Sequence, residues 1–236
     1  MVPTESAHLL HTRGKEIADK MNRLKEEMIQ FQKRDEILRI GCANGVLKAI
    51  SLNLILDFIR KYPGIHVEWS EYENSQVLSK LMVSELEYGF VVGEAEDSSI
   101  CQRLVYSGRQ VLFVYRGHPY YERDDITLDM LREETLLIMN EQFHMYHDFM
   151  RACQLRGFTP KIGAKVMDGG TLLRLCTQKI GLAVTPEFGG EIYLIDQIRP
   201  IPFEGNPNWN IYGTYWKERE NYEVIRKFDQ HLRSQK

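Results

Sequence analysis

The sequence carries no strong charge of either sign. Asp and Glu exceed Lys and Arg by three in 236 residues, so no field of the whole chain draws it to nucleic acid, and the isolated chain is expected to bind DNA poorly. There is no C-x-x-C pair. The four cysteines, Cys42, Cys101, Cys153 and Cys176, sit among apolar neighbours and read as buried free thiols in a reducing compartment. No apolar run approaches the length of a membrane span. Residues 1–34 are charged throughout and lack the apolar stretch of a secretory signal, which sets a cytoplasmic location as the expectation. No Ser–His–Asp order, G-x-S-x-G elbow or phosphate loop is found, so catalysis has no candidate nucleophile. Internal repeats and low-complexity segments are also missing.

What is present begins with a proline-free stretch from Thr4 to Arg34. Ala7, Leu10, Gly14, Ile17, Met21, Leu24, Met28 and Phe31 recur at alternating spacings of three and four, the heptad seam of a two-helix coiled coil. At 1.5 Å per residue this helix would be roughly 45 Å long. A seam of that length is expected to pair with a second copy, through a linker and dimerisation helix over residues 1–35.

From Ile37 onward the pattern changes to strands and helices in alternation. Ile37–Ala43 reads as a strand, and Asn44-Gly45 as a turn into one continuous apolar helix over Val46–Lys61, stopped by Pro63-Gly64. Ile65–Glu71 alternates as a strand. Ser75 is expected to cap a helix to about Ser84, followed by a strand over Glu87–Val92. Such an order with short turns predicts a parallel sheet with right-handed crossovers. A second unit of the same kind starts near Gly108. It has strands at Gln110–Arg116, Thr135–Met139, Lys161–Met167 and Leu182–Val184. Its helices are expected at Thr127–Glu133, at Met145–Arg156 with Gly157 as C-cap, and from the Asp168 cap to Gln178, ended by Gly181. Asn210–Trp216 is a last strand and Tyr222–Leu232 a last amphipathic helix.

Several segments together resemble one family. Leu38-Arg39-Ile40-Gly41, the apolar helix, Tyr62-Pro63-Gly64-Ile65, Glu73-Asn74-Ser75 and Leu86-Glu87-Tyr88-Gly89-Phe90-Val91 are similar to the start of the effector-binding domain of LysR-type transcriptional regulators. Gly117-His118-Pro119 after a strand, and Thr171–Val184 running into Thr185-Pro186-Glu187, continue the likeness. Glu87 stands where the family has Asp, Lys179-Ile180-Gly181 replaces a Gly-x-Gly turn, and Ala43 and Gly45 occupy loop positions where many members place a hydroxyl. The resemblance implies an α/β, two-lobed fold of the type 2 periplasmic-binding-protein kind. Lobe I would comprise residues 36–107 and 212–236, and lobe II residues 108–211, with Val105–Ser107 and Tyr212–Gly213 as the hinge. It also implies a homodimer or homotetramer, formed through the linker helix and lobe surfaces. DNA would be contacted only through a winged helix-turn-helix head, which the sequence does not contain.

In two-lobed α/β domains, ligands sit beyond the carboxyl ends of parallel strands, where helix N-termini present free N–H groups. Three loops meet that condition: Ala43-Asn44-Gly45, Asn140 to Phe143 with Gln142, and Asp168-Gly169-Gly170-Thr171. Ser75 is expected to add a fourth wall. Each of these residues also has a purely local use as a turn or cap former. The expected ligand is a small-molecule effector, with a small organic acid as the family-type case. Because no arginine lies in these loops, a monocarboxylate or an amide-like molecule is preferred over a dicarboxylate. His144 and His147, one helical turn apart, invite a metal reading. No second pair completes such a set, so neither a metal nor a cofactor is expected. The reading is therefore a non-enzymatic effector sensor. A stand-alone solute-binding protein, or an enzyme on the same fold, is the alternative.

Overall fold

The structure is a computed structural model. It describes residues 37–187, 196–205 and 208–234, together with Gly14, Lys20 and Met21. Those three are helical, and the remainder of the Thr4–Arg34 seam lies outside the described residues.

The chain builds two strand triads of identical order. In the first, β1 (Ile37–Ala43) lies parallel between β2 (His66–Tyr72) and β3 (Tyr88–Val92). In the second, β5 (Thr135–Met139) lies parallel between β6 (Lys161–Val166) and β7 (Leu182–Pro186). The orders β2-β1-β3 and β6-β5-β7 repeat in topology with no repeat in sequence, because what recurs is the apolar strand and the short turn. Two long antiparallel strands join the triads: β4 (Ile100–Tyr115) and β9 (Asn208–Trp216). β9 pairs with β3, and the end of β4 pairs with β7. Residues 100–109 of β4 face β9, while residues 110–115 face β7 and β8 (Ile198–Pro202). A bulge between Leu104 and Tyr106 breaks the β4–β9 ladder. The sheet order is β2-β1-β3-β9-β4-β7-β5-β6, with β8 attached to β4.

Among the described residues, five helices flank this sheet: α1 (Asn53–Lys61), α2 (Asn74–Met82), α3 (His144–Leu155), α4 (Gly169–Thr177) and α5 (Glu223–Arg233). Phe58 of α1 and Phe228 of α5 meet edge to face, 5.0 Å apart, over the buried Tyr88. Leu38, Ile40 and Phe90 complete that layer. Leu136, Ile138, Leu172 and Phe149 do the same in the second half. Full burial of each such side chain stabilises by about 1.5–3 kcal/mol.

Several expectations are corrected in detail. The single helix expected over Val46–Lys61 is a 3-10 turn (Val46–Lys48) followed by α1. Ser51 causes the break: its Oγ accepts the Asn53 N–H at 3.3 Å, so a local turn replaces a helical bond. Leu52 and Leu56 are exposed as a result. Ser75 does not cap α2. Glu73 is the cap, and Gln76 Oε1 accepts the Glu73 N–H at 3.2 Å in a reciprocal capping box. Thr127–Glu133 contracts to a 3-10 turn over Leu128–Leu131. The left-handed residue after α4 is Lys179, with φ of 60°, not Gly181. Gly181 is needed for another reason: a Cβ there would lie 2.5 Å from the Thr135 carbonyl oxygen. β8 was not expected, because Pro200 and Pro202 argue against a strand. It tolerates them as an edge strand, paired with β4 alone.

One buried charge group supports the first triad. Glu87 is 1% exposed and accepts bonds from the Arg39 backbone N–H (2.9 Å), from Arg39 Nε and Nη2 (both 3.0 Å) and from Arg219 Nη1 (3.4 Å). The carboxylate thus ties β1 to the segment after β9.

Candidate ligand-binding site

The central strands of the two triads end in matching turns. After β1, the Asn44 N–H donates to the Tyr72 carbonyl at 2.9 Å. After β5, the Asn140 N–H donates to the Val166 carbonyl at 2.9 Å. Each asparagine thus closes its strand onto the end of the neighbouring strand, β2 or β6. Gly45 follows with φ of 85°, a left-handed conformation that turns the chain into the 3-10 turn. Asn140 Oδ1 accepts the Gln142 N–H at 3.1 Å, which sets the entry to α3. Asp168 caps α4, its Oδ2 accepting the Thr171 N–H at 2.7 Å.

A crevice of about 220 Å³ opens between these turns. Asn44, Gly45, Lys48 and Glu71 line it from the first triad, and Trp209 from β9. Met139, Phe143, Met145, Met167, Gly169, Thr185 and Pro186 line the facing wall. Its volume falls below the range of pockets for drug-sized ligands, and its walls are mainly apolar with a few polar groups. Lys48 Nζ reaches across to Asp168 Oδ1 at 3.1 Å. Elsewhere the halves meet where Phe143 and His144 lie against Gly45 and Gly93, respectively. The Thr171 backbone N–H and the Lys48 ammonium hold the Asp168 carboxyl down to about 2, so it stays ionised at any ordinary pH.

Thr185 is the distinctive polar group of this crevice. Its residue is 2% exposed, and its hydroxyl has no hydrogen-bond partner among the described residues. A buried hydroxyl left unpaired costs on the order of 1–3 kcal/mol, a deficit that a hydrogen bond to it would remove.

Of the residues expected from sequence, Asn44, Gly45, Phe143 and Gly169 line the crevice. Ala43 and Gln142 line a shallow recess beside it, with Asn74 and His144. Asp168 acts at the mouth through Lys48. Asn140, Gly170 and Thr171 are not among the lining residues and serve the turns. Ser75 lies inside α2, exposed and away from the crevice. Its neighbour Asn74 is the one tied to the strand end, with Oδ1 accepting the Val92 N–H (2.8 Å) and Nδ2 donating to the Val92 carbonyl (3.0 Å). Lys48, Glu71, Thr185, Trp209 and the three methionines were missed. The Thr185-Pro186 segment, already notable in the sequence, was the available signal.

The two histidines have separate partners. His144 Nδ1 pairs with Asp148 Oδ2 at 2.8 Å, and His147 Nε2 contacts the Glu141 carbonyl at 2.7 Å. No group of three His, Cys, Asp or Glu that could hold a metal ion occurs among the described residues. Cys42, Cys153 and Cys176 are buried and free, and Cys101 is half-buried and free. Burial pushes the Cys42 and Cys176 thiols up to about 12, which makes them poor nucleophiles. No helix among the described residues is long and apolar enough to cross a membrane.

Comparison with known proteins agrees with this geometry. The LysR substrate binding domain matches residues 32–236. The transcriptional regulator AlsR of Bacillus subtilis is 21% identical over 174 residues, covering 72% of this chain and 58% of that protein. TtuA of Agrobacterium vitis, also a transcriptional regulator, is 24% identical over 184 residues, covering 75% of this chain and 60% of its own. The chain thus spans about three-fifths of the length of these relatives. Among solved structures, the BenM effector binding domain with its effector benzoate superposes with a TM-score of 0.72 at 18% identity, covering 84% of this chain and 90% of that one. With the paired triads, the two crossing strands and a family match across nearly the whole length, the chain belongs to the LysR substrate-binding domain family.

Proposed function

We propose that this chain is the effector-sensing and oligomerising region of a LysR-type transcription regulator, acting in the cytoplasm and without catalysis. Residues 1–35 serve as the linker helix, 36–107 with 212–236 as lobe I, and 108–211 as lobe II. The change of pairing partner along β4 near Arg109 supports that division. A small effector occupies the crevice, and DNA contact belongs to a helix-turn-helix head outside these 236 residues.

The observation that carries this reading is a crevice walled by both triads whose lining includes Thr185, a residue with a buried hydroxyl that has no hydrogen-bond partner among the described residues. A molecule bound there touches both halves at once and favours the relative orientation it fits best. A tenfold preference for one orientation shifts the balance by about 1.4 kcal/mol. The reorientation is taken up at Val105–Ser107 and Tyr212–Gly213 and passes to the linker helices of a dimer.

A thermal-shift screen of small metabolites tests it, with Thr185→Val and Phe143→Ala run in parallel. The expected result is a compound that raises the melting temperature of the wild type and does so less in both variants. A hit that stabilises all three proteins equally binds elsewhere and overturns the assignment of the crevice.

A further inference from the structure

The charges around the crevice do not suit a simple acid. Lys48 is the cation among its lining residues, and it is already engaged by Asp168 at 3.1 Å. Glu71 also lines the crevice, and its carboxylate has no ion-pair or hydrogen-bond partner among the described residues. Counting Asp168, two carboxylates face one ammonium. An anionic effector alone would meet an unanswered Glu71. A purely cationic one would leave Lys48 and the N-terminus of α4 without a use.

The two opposite charges come from neighbouring positions. Glu71 sits near the carboxyl end of β2, in register with Cys42 of β1. Lys48 follows three residues after Gly45, in the turn that leaves β1. The Asn44–Tyr72 backbone bond holds those two strand ends together. A lysine ammonium has three donors, so Lys48 can keep Asp168 and still take a carboxylate oxygen. Gly169 brings the start of α4 to the same crevice, where the helix dipole favours negative charge. The facing wall is a soft apolar surface of Met139, Met145, Met167 and Phe143.

We propose that the effector is a zwitterion of the α-amino-acid type with an apolar side chain. Lys48 and the α4 N-terminus receive its carboxylate, Glu71 its ammonium, the Thr185 hydroxyl gives a hydrogen bond from the opposite wall, and the methionine-rich face takes the side chain. The two charges of an α-amino acid sit on one carbon, which matches an acceptor and a donor on adjacent strand ends. This inference rests on the crevice being the effector site, and it replaces the monocarboxylate preference drawn from sequence.

Isothermal titration with L-methionine, L-leucine and L-phenylalanine tests it. Each is compared with its deaminated carboxylic acid and its decarboxylated amine. At least one amino acid is expected to bind about tenfold or more tightly than both of its derivatives, the scale of one charge-assisted hydrogen bond. Glu71→Gln is expected to bring that amino acid down to the affinity of its acid while leaving the acid unchanged. Lys48→Met is expected to bring it down to the affinity of the amine. Circular dichroism melts of both surface variants check that folding is intact. An acid that binds as tightly as its amino acid overturns the proposal, as does a Glu71→Gln protein with full amino-acid affinity, or failure of all three amino acids to bind. If a metabolite of another charge type then stabilises the wild type and loses that effect in Thr185→Val, the crevice remains the effector site and only the zwitterion is lost.

Discussion

Lys48 Nζ and Asp168 Oδ1, 120 residues apart in sequence, lie 3.1 Å from each other across the mouth of the crevice. One belongs to the turn after β1 and the other caps α4, so a single contact links the two triads and sets the start of a helix. Both side chains are about half exposed, and the contact adds little to stability on its own. Under the proposed function, it favours the orientation of the halves in which it forms.

Asp168 has two separable tasks. Asp168→Asn keeps a capping oxygen and loses the charge, whereas Asp168→Ala loses both. Asp168→Ala is expected to cost about 1 kcal/mol in urea unfolding and Asp168→Asn less than half of that. Because the folded-state pKa lies below the ordinary carboxylate value, at about 2, this contribution is present above about pH 4 and is lost between about pH 4 and pH 2. Acid titration of the wild type against Asp168→Asn measures it.

Glu87 is a buried carboxylate between two arginines, the buried Arg219 and the partly exposed Arg39. Truncation in Glu87→Ala strands Arg39, and Arg219, which is 5% exposed at its side chain, and is expected to cost about 3–5 kcal/mol. The midpoint of urea unfolding reports it directly, and a change below about 1 kcal/mol would show that water repairs the site.

Gly181 is a steric position, not a conformational one. The backbone oxygen of Thr135 would lie 2.5 Å from a new Cβ, so Gly181→Ala pushes β7 away from β5. The expected destabilisation is about 1–3 kcal/mol. A thermal melt equal to the wild type would contradict the packing described between these strands.

His144 offers a pH readout of contact between the halves. Its imidazole lies against Gly93, and the Asp148 carboxylate raises its pKa despite partial burial. Stability from this pair is therefore fully present below the unfolded value of about 6.5 and fades as pH rises through the folded value. In Asp148→Asn that pH dependence should vanish. An NMR titration of the His144 ring in both proteins follows it.

The linker seam yields a prediction about mass. Leu24→Asp places a charge at a heptad core position, and light scattering is expected to show a lower-order species than the wild type at equal concentration. Unchanged mass would count against the proposed pairing of two copies through residues 1–35.

Much of the architecture was legible because each strand carries its own signal. β1, β3, β5 and β7 are short apolar runs, the first three followed by an asparagine or glycine, and the crossovers dictate parallel pairing. The loops at the strand ends were legible for the same reason, which is how Asn44, Gly45, Phe143 and Gly169 could be named. Lys48, Glu71, Thr185 and Trp209 were not legible as a set. They come from four segments that only the β4–β9 crossing brings together, and no spacing along the chain encodes that meeting. The Val46–Lys61 reading failed for a local reason: apolar content hid a serine whose hydroxyl competes for a backbone N–H.

The bulge between Leu104 and Tyr106 has a mechanical meaning. β4 and β9 are the two places where the described chain passes from one triad to the other, and the ladder between them is interrupted at that point. Twisting one half against the other has to be absorbed by a handful of backbone torsions there, since the flanking stretches are clamped by regular pairing. Under the proposed function, strain from an effector held between the halves would be concentrated in this one interrupted segment.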